Sequence, residues 1–386
     1  MSFLATLFLI SLLSGQLIRI PIAYGITVYP HDIVLCCYLF FWFTLKYKKK
    51  NFTFGSLGKP LCLFLIALLA SFAVNALGHT VPELINGISY SIRIALYIGL
   101  YVVISNTKKK SFWLSRLYGI GVLFGILGIV QYIAYPNLRN LEYLGWDPHY
   151  YRLFSTLLDP NYAGLFLILT FLLGMNFLLK NGNEITFLVL QAIVLSALTL
   201  TLSRSSYVSF IGIVFLYAWW KKSWKILIGI VVFIGILFWL PLPQKNVTPI
   251  LRLETSVSRM TNWAQSVELI KKAPVFGHGF NLLRSIQEPG YGKKDTENIS
   301  HASAGVDNSF LFVLATTGLV GAVAWGYLLF SMWKLGRKNI VYVLSLVAIG
   351  IHSLFVNSMF YPWIMIWMWI LTGIEEKRVN VKNNLK

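Results

Sequence analysis

Apolar stretches of roughly 16 to 25 residues recur along the whole chain, and a run of that length is what a helix needs to cross a ~30 Å hydrocarbon core. They fall at 3–26, 28–45, 60–78, 87–105, 112–135, 162–179, 185–203, 205–220, 224–242, 308–333, 339–358 and 360–374. The pattern predicts about twelve membrane-crossing helices. With 57% hydrophobic and only 12% charged residues among 386, and a mean hydropathy of +0.68, no soluble core would hide them. The expected fold class is therefore all-α, a polytopic integral membrane protein. It is read as a single transmembrane domain over residues 1–386, with a long outer loop, 243–306, inserted between helices. The first stretch lacks a basic leader and a small-residue cleavage site, and reads as a retained span. Cys36, Cys37 and Cys62 lie inside apolar runs, with no disulfide or metal spacing.

A net charge of +19 would suggest nucleic acid in a soluble protein, but here its placement follows topology, and no nucleic-acid partner is expected. Placing both termini in the cytoplasm puts 20 of the 33 basic residues on the inner side, and 17 of those 20 are Lys. In the outer and intramembrane set 8 of 13 are Arg. Lys acts as a point charge, whereas the guanidinium fork grips phosphate or carboxylate in a bidentate way. The outer face thus has the composition of an anion site, although salt bridges within the loops would also use Arg. Arg19 and Arg93 are expected inside spans, each roughly 10 Å from the outer end of its helix. Charges at that depth either snorkel or line a wet cavity.

Several short segments can carry chemistry. In "VTPILRLETSVSRMTNWAQSVELIKKAP", Thr248 and Pro249 can start a helix that Lys271, Lys272 and Pro274 end. Val257, Met260, Trp263, Ala264, Val267 and Ile270 recur at helical spacing, so the helix is expected to lie with that apolar face on the membrane or the bundle top. Arg252 and Arg259 share its other face, near Asn262 and Ser266; an ordinary amphipathic helix explains all but the repeated Arg. "FGHGF", with His278, is either a plain turn or a place where backbone N–H groups approach a ligand. Arg204 breaks the rule that short loops carry their basic residues inside. Arg152, Asp159 and Asn161 stand at the outer entrance of one span, where an Asp or Asn also serves as a helix cap. In "VDNSFLFVLATTGLVG" the same holds for Asp307 and Asn308, while Gly318 and Gly321 can permit close helix packing. No nucleotide loop or zinc spacing is present; Asp295 and Glu297 are assigned no metal, and no cofactor is expected.

In their order, "RLFSTLLDPNYAG", Ser203–Arg204, Arg259 with Trp263, "PVFGHG" and the element from Asp307 to Gly321 resemble the O-antigen ligase and O-antigen polymerase family of bacterial membrane glycosyltransferases. The resemblance covers about half the chain, from Arg152 to Gly321. It implies transfer of a glycan from an undecaprenyl-diphosphate-linked donor to a glycan acceptor, without a metal, at the outer leaflet of the bacterial cytoplasmic membrane. The implied roles are Arg204 and Arg259 on the diphosphate and Asp307 as base, with His301 or His278 in reserve. Arg152, Asn161, Arg252, Trp263, His278, Asn308, Arg19 and Arg93 follow as substrate-binding candidates. Membrane lipids and other membrane proteins of polysaccharide assembly are the remaining expected partners. Asp307 stands where the ligases carry His, which leans toward polymerisation of surface-polysaccharide repeat units over ligation to a lipid core. A flippase of lipid-linked oligosaccharide would also want outward Arg, but transporters gather ionisable groups near the midplane and show internal repeats, and neither is evident here.

Overall fold

The computed structural model describes residues 1–48, 52–181, 185–239, 253–287 and 305–376, and among these it is almost entirely helical. In chain order the helices are α1 (Ser2–Ser11), α2 (Pro30–Lys48), α3 (Gly58–Asn75), α4 (Val81–Ser105), α5 (Lys110–Ala134), α6 (Pro160–Asn181) and α7 (Ile185–Leu200). There follow α8 (Arg204–Lys221), α9 (Trp224–Trp239), α10 (Leu253–Lys272), α11 (Leu283–Gln287), α12 (Ser309–Gly336), α13 (Ile340–His352) and α14 (Pro362–Glu375). Each of the twelve apolar stretches contains a helix. In a bilayer only an element that satisfies its own backbone groups can cross, which is why such runs become helices. Among the described residues five helical segments are long and apolar enough for a full crossing: Gly58–Gly78, Val81–Ser105, Lys110–Ala134, Pro160–Leu178 and Ser309–Gly336. The chain is an all-α integral membrane protein.

Starts are written in local chemistry. Thr80 and Glu83 form a capping box on α4, Asn339 caps α13, and proline opens α2, α6 and α14. α14 is buried on every side from Pro362 to Gly373, so an all-apolar helix forms the axis of the bundle, with α4 packed along it. At one end of this axis Glu376 accepts from Ser56 Oγ at 2.7 Å, and Lys110 donates to the carbonyl of Ile374 at 2.6 Å. Lys48, Lys59, Lys108 and Lys221 stand at the helix ends on that same side.

Two expectations are corrected. Residues 3–26 are not one helix: α1 ends at Ser11, a 3-10 turn follows, and the chain reverses in a small antiparallel hairpin pairing Ile20 with Val28 and Pro21 with Thr27. Gly15 has φ +53, its backbone lies against Thr156, and Pro21 cannot extend a helix, so Arg19 belongs to a loop and not to a span. The second concerns α10, which does not lie on top of the bundle. It packs alongside α12, with Asn262 bonded to Gly305 and Asp307 at one level and the segment after Lys272 bonded to Ala315 and Thr316 farther down. Its apolar face is outward, Val257 being 61% and Met260 68% exposed, while Ser266 is buried and Arg259, Asn262 and Trp263 are half-buried. Ser258, Thr261, Gln265 and Glu268 are exposed beside Val257 and Met260, so the inward side of α10 is set by Arg259, Asn262 and Ser266 in particular.

The glycines of α12 do something other than admit a neighbouring helix. Gly318, at φ 63 and ψ −163, breaks α12 into two halves about 15 Å below Asn308. The "PVFGHG" segment fills the break. Leu319 N donates to Pro274 O at 2.8 Å and Val320 N to Val275 O at 3.2 Å, while His278 N donates to Ala315 O at 2.9 Å and Gly279 N to Thr316 O at 3.0 Å. All four backbone groups that the break frees are thus paired inside the bundle.

Candidate functional site

At the end of the bundle away from Glu376, the N-termini of α6, α8, α12 and α14 come together. Asp159 caps α6, accepting from Asn161 N at 2.7 Å. Ser203 caps α8 and also donates to Asn161 Oδ1 at 2.9 Å, which ties the two helix starts together. Asn308 caps α12, accepting from Phe310 N at 2.8 Å and Leu311 N at 3.1 Å, and its amide donates to Leu354 O at 3.0 Å. Tyr361, before Pro362 of α14, lies flat on Tyr162 of α6 with ring centroids 3.6 Å apart. Each helix start is the positive end of a helix dipole, partly offset where Asp159, Ser203 and Asn308 pair its first N–H groups. Several aimed at one region favour an anion.

Side-chain charges point the same way. Arg259 makes no hydrogen bond or ion pair among the described residues, yet its charge is felt by both Asp307 and His352. The Asp307 backbone N–H donates to Asn262 Oδ1 at 2.9 Å, while its carboxylate takes no hydrogen bond among the described residues. Burial pushes that carboxyl above its ordinary range, the Arg259 charge pulls it back, and Asp159 pushes it up again. Asp159 is also raised, by burial first, against the pull of the Asn161 N–H and of Arg152. The arrangement holds a guanidinium without a partner among the described residues, a carboxylate able to accept a proton, and a second carboxylate close by. Among the described residues no three of His, Cys, Asp and Glu gather as a metal site would require.

The structure sorts the residues singled out from the sequence. Asp307, Arg259, Arg152, Asn161, Asn308 and Arg204, the first residue of α8, share this corner. Arg152 is a brace: Nε donates to Thr201 O at 3.0 Å and a terminal nitrogen to Leu202 O at 3.3 Å, holding the turn before α8, where Leu202 has φ +48. Asn161 and Asn308 are engaged in the cap network. Trp263 is half-buried, its indole N–H has no partner among the described residues, and its ring lies 6.4 Å from Phe355. His278 is in the α12 break, its Nε2 2.8 Å from Leu269 O, roughly 10 Å along α12 from Asn308. Arg93 pairs with Asp32 at 3.1 Å and also donates to Thr27 O, while Arg19 stands over the Trp146 ring at 5.3 Å. Arg252 and His301 lie outside the described residues.

Reasoning from the sequence passed over His352. It is fully buried at the end of α13, with Nδ1 2.6 Å from Ser358 Oγ and Nε2 3.1 Å from Ser205 Oγ and 3.3 Å from Ser206 Oγ. An ionisable residue inside an apolar stretch was the available signal.

Comparison with known proteins bears on this corner. The O-antigen ligase family profile matches residues 189–326, the segment that carries α8, α10 and the break in α12. Over those residues the chain is similar to the O-antigen ligases. Two curated relatives are a general O-oligosaccharyltransferase of Acinetobacter baylyi, 25% identical over 305 residues, and an O-antigen ligase of Salmonella typhimurium, 28% identical over 162. These alignments cover 70% and 39% of this chain, which spans 51% and 39% of the relatives' own lengths. Within the O-antigen ligase match lie Arg204 and Arg259, Asp307 and its cap Asn308, and Gly318 with the loop that fills its break.

Proposed function

We propose that the chain is a membrane glycosyltransferase that moves an oligosaccharide from a lipid-diphosphate donor, of the undecaprenyl type, onto a hydroxyl acceptor. The observation that carries this reading is the Arg259 guanidinium, without a partner among the described residues, facing the desolvated Asp307 carboxylate where four helix N-termini converge. In the transfer step the acceptor oxygen attacks the anomeric carbon of the donor as its proton passes to Asp307. The bond from that carbon to the diphosphate oxygen breaks, and the electron pair leaves with the lipid diphosphate. Arg259, Arg204 and the positive ends of the helix dipoles neutralise the charge that develops on it, which is what a fixed, water-poor cationic site does well. No residue need be covalently modified.

One curated relative is named a general O-oligosaccharyltransferase and the other an O-antigen ligase, which favours ligation to a separate acceptor. Polymerisation of repeat units is the second reading, because Asp307 stands where the ligase pattern has His. In either case the active face is outward in the bacterial cytoplasmic membrane, a reading that the Lys-rich opposite end supports. The test uses purified full-length protein in nanodiscs with a lipid-diphosphate oligosaccharide as donor. Product on an added lipid or peptide acceptor supports ligation, and a ladder of longer lipid-linked glycans from donor alone supports polymerisation. Intact donor with every acceptor removes the proposal.

A further inference from the structure

His352 joins the two sides of the candidate site. Ser358 Oγ lies 3.3 Å from the carbonyl of Val356, which only accepts, so the Ser358 proton goes there and its oxygen receives the Nδ1–H of His352. Nε2 is then a lone pair facing Ser205 and Ser206, the residues that follow Arg204 in the first turn of α8. Ser206 is also held by Ser203 Oγ at 2.9 Å and by Asn161 O at 3.2 Å, which leaves Ser205 as the better donor to the imidazole. On the other side, the segment containing Ser358 carries the residues that fix the start of α12. Ser353 O accepts from Ser309 N at 2.9 Å, Leu354 O from the Asn308 amide at 3.0 Å, and Ser309 Oγ bonds Asn357 Oδ1 at 3.0 Å. Asp307 immediately precedes that start.

We infer that His352 is a positioning residue that sets the placement of Arg204 relative to Asp307, gripping the first turn of α8 through Nε2 and the segment that seats α12 through Nδ1. The inference rests on the proposed glycosyl transfer. It touches neither donor nor acceptor: the ring is fully buried, and both its nitrogens are engaged within the protein. Its action is geometric. A displacement of about 1 Å at a reacting centre lowers a rate by as much as ~10²-fold. A side chain that merely filled the core would have no need of two directed hydrogen bonds.

The test compares His352→Gln, His352→Asn and His352→Phe in full-length protein in nanodiscs, with a lipid-diphosphate oligosaccharide donor. Single-turnover rate, donor affinity and thermal midpoint are measured for each. Gln reaches toward the Nε2 position and keeps the grip on α8, Asn keeps the Nδ1 side, and Phe fills the space with neither. The expected order of rates is wild type, then Gln and Asn, then Phe, with Phe slower by roughly 10- to 100-fold. The deciding measurement is a double-mutant cycle with Arg204→Lys. If His352 works through Arg204, the loss caused by Gln or Asn shrinks at least several-fold in the Arg204→Lys background; a structural defect multiplies unchanged. Equal rates in all three variants, or losses that multiply fully, overturn the inference. If Phe does not fold, the Gln and Asn cycles decide alone, and Ser358→Ala cuts the same link from its other side. Failure of the wild type to transfer any glycan counts against the proposed function instead.

Discussion

A carboxylate removed from water beside a guanidinium that does not bond it is held at a cost. In Asp307 that cost appears as a raised pKa, which makes the residue a better proton acceptor than a solvated carboxylate. The same shift fixes the sign of a stability effect. The folded state binds the Asp307 proton more tightly than the unfolded chain does, so the stabilisation is complete below the ordinary carboxylate range and is lost as pH rises through the raised value. Asp307→Asn is therefore expected to leave the thermal midpoint at neutral pH equal to or above wild type, with the difference closing in acid. Turnover is expected to fall by about 10² to 10⁴. Full turnover in the Asn variant would remove Asp307 from the mechanism. Capping does not confuse the comparison, because Asn308 is the residue that caps α12. Arg259→Lys keeps the charge and loses the fork, so donor turnover is expected to drop by an order of magnitude or more with insertion unchanged. A kinetic assay and a membrane-extraction profile check both. Asp307 and Arg259 were singled out in the sequence through the family resemblance, Arg259 also through the repeat of Arg along its helix. Charge alone did not separate Arg93, paired with Asp32, from Arg259, which has no partner among the described residues. That distinction needs distance.

The break in α12 belongs to the scale of elements. A Cβ at Gly318 would come within 2.3 Å of Val275 O and 2.6 Å of Gly277 N, on a backbone that side-chain-bearing residues avoid. Such a conformation costs of order 1–3 kcal/mol before the clash is counted. Gly318→Ala is therefore expected to lower the thermal midpoint and loosen the 274–279 segment, read as faster amide exchange at His278 and Gly279. Gly326 offers the contrast, since a Cβ there meets nothing within 4 Å. Gly326→Ala is expected to be neutral or stabilising by up to about 1 kcal/mol, from helix propensity. A Gly318→Ala protein as stable as Gly326→Ala would show that the clip is dispensable. The G-x-x-G spacing was visible from the start, but it is equally compatible with close helix packing. The positive φ and the hydrogen bonds to Pro274 and Val275 separate the two roles.

Across the whole molecule, Lys dominates the Glu376 end of a bundle whose axis is α14, and Arg152, Arg204 and Arg259 stand toward the other. Orientation can be read from two exposed positions, Lys108 at the Glu376 end and Tyr143 on the site side. In a background with Cys36, Cys37 and Cys62 replaced, Tyr143→Cys is expected to react with an impermeant thiol reagent added outside, and Lys108→Cys only after the membrane is opened. The reverse pattern would place the candidate site in the cytoplasm.

The sequence by itself determined that helices form and where, because apolar length and backbone self-satisfaction are local quantities that lipid enforces. It also pointed to Arg as the candidate cations of the site, a choice that does not by itself tell Arg259 from Arg93 or Arg116. Only the tertiary structure decided that residues 3–26 divide into a helix and a hairpin, and that α10 turns Arg259, Asn262 and Ser266 inward. It likewise decided that a buried histidine 45 residues beyond Asp307 in the chain holds the two sides of the corner together. Helical periodicity shows that a face is apolar, but whether lipid or protein covers that face depends on what packs against it. The partners of His352 come from α8 and from the segment before α14, and no local pattern links residues so far apart in the chain.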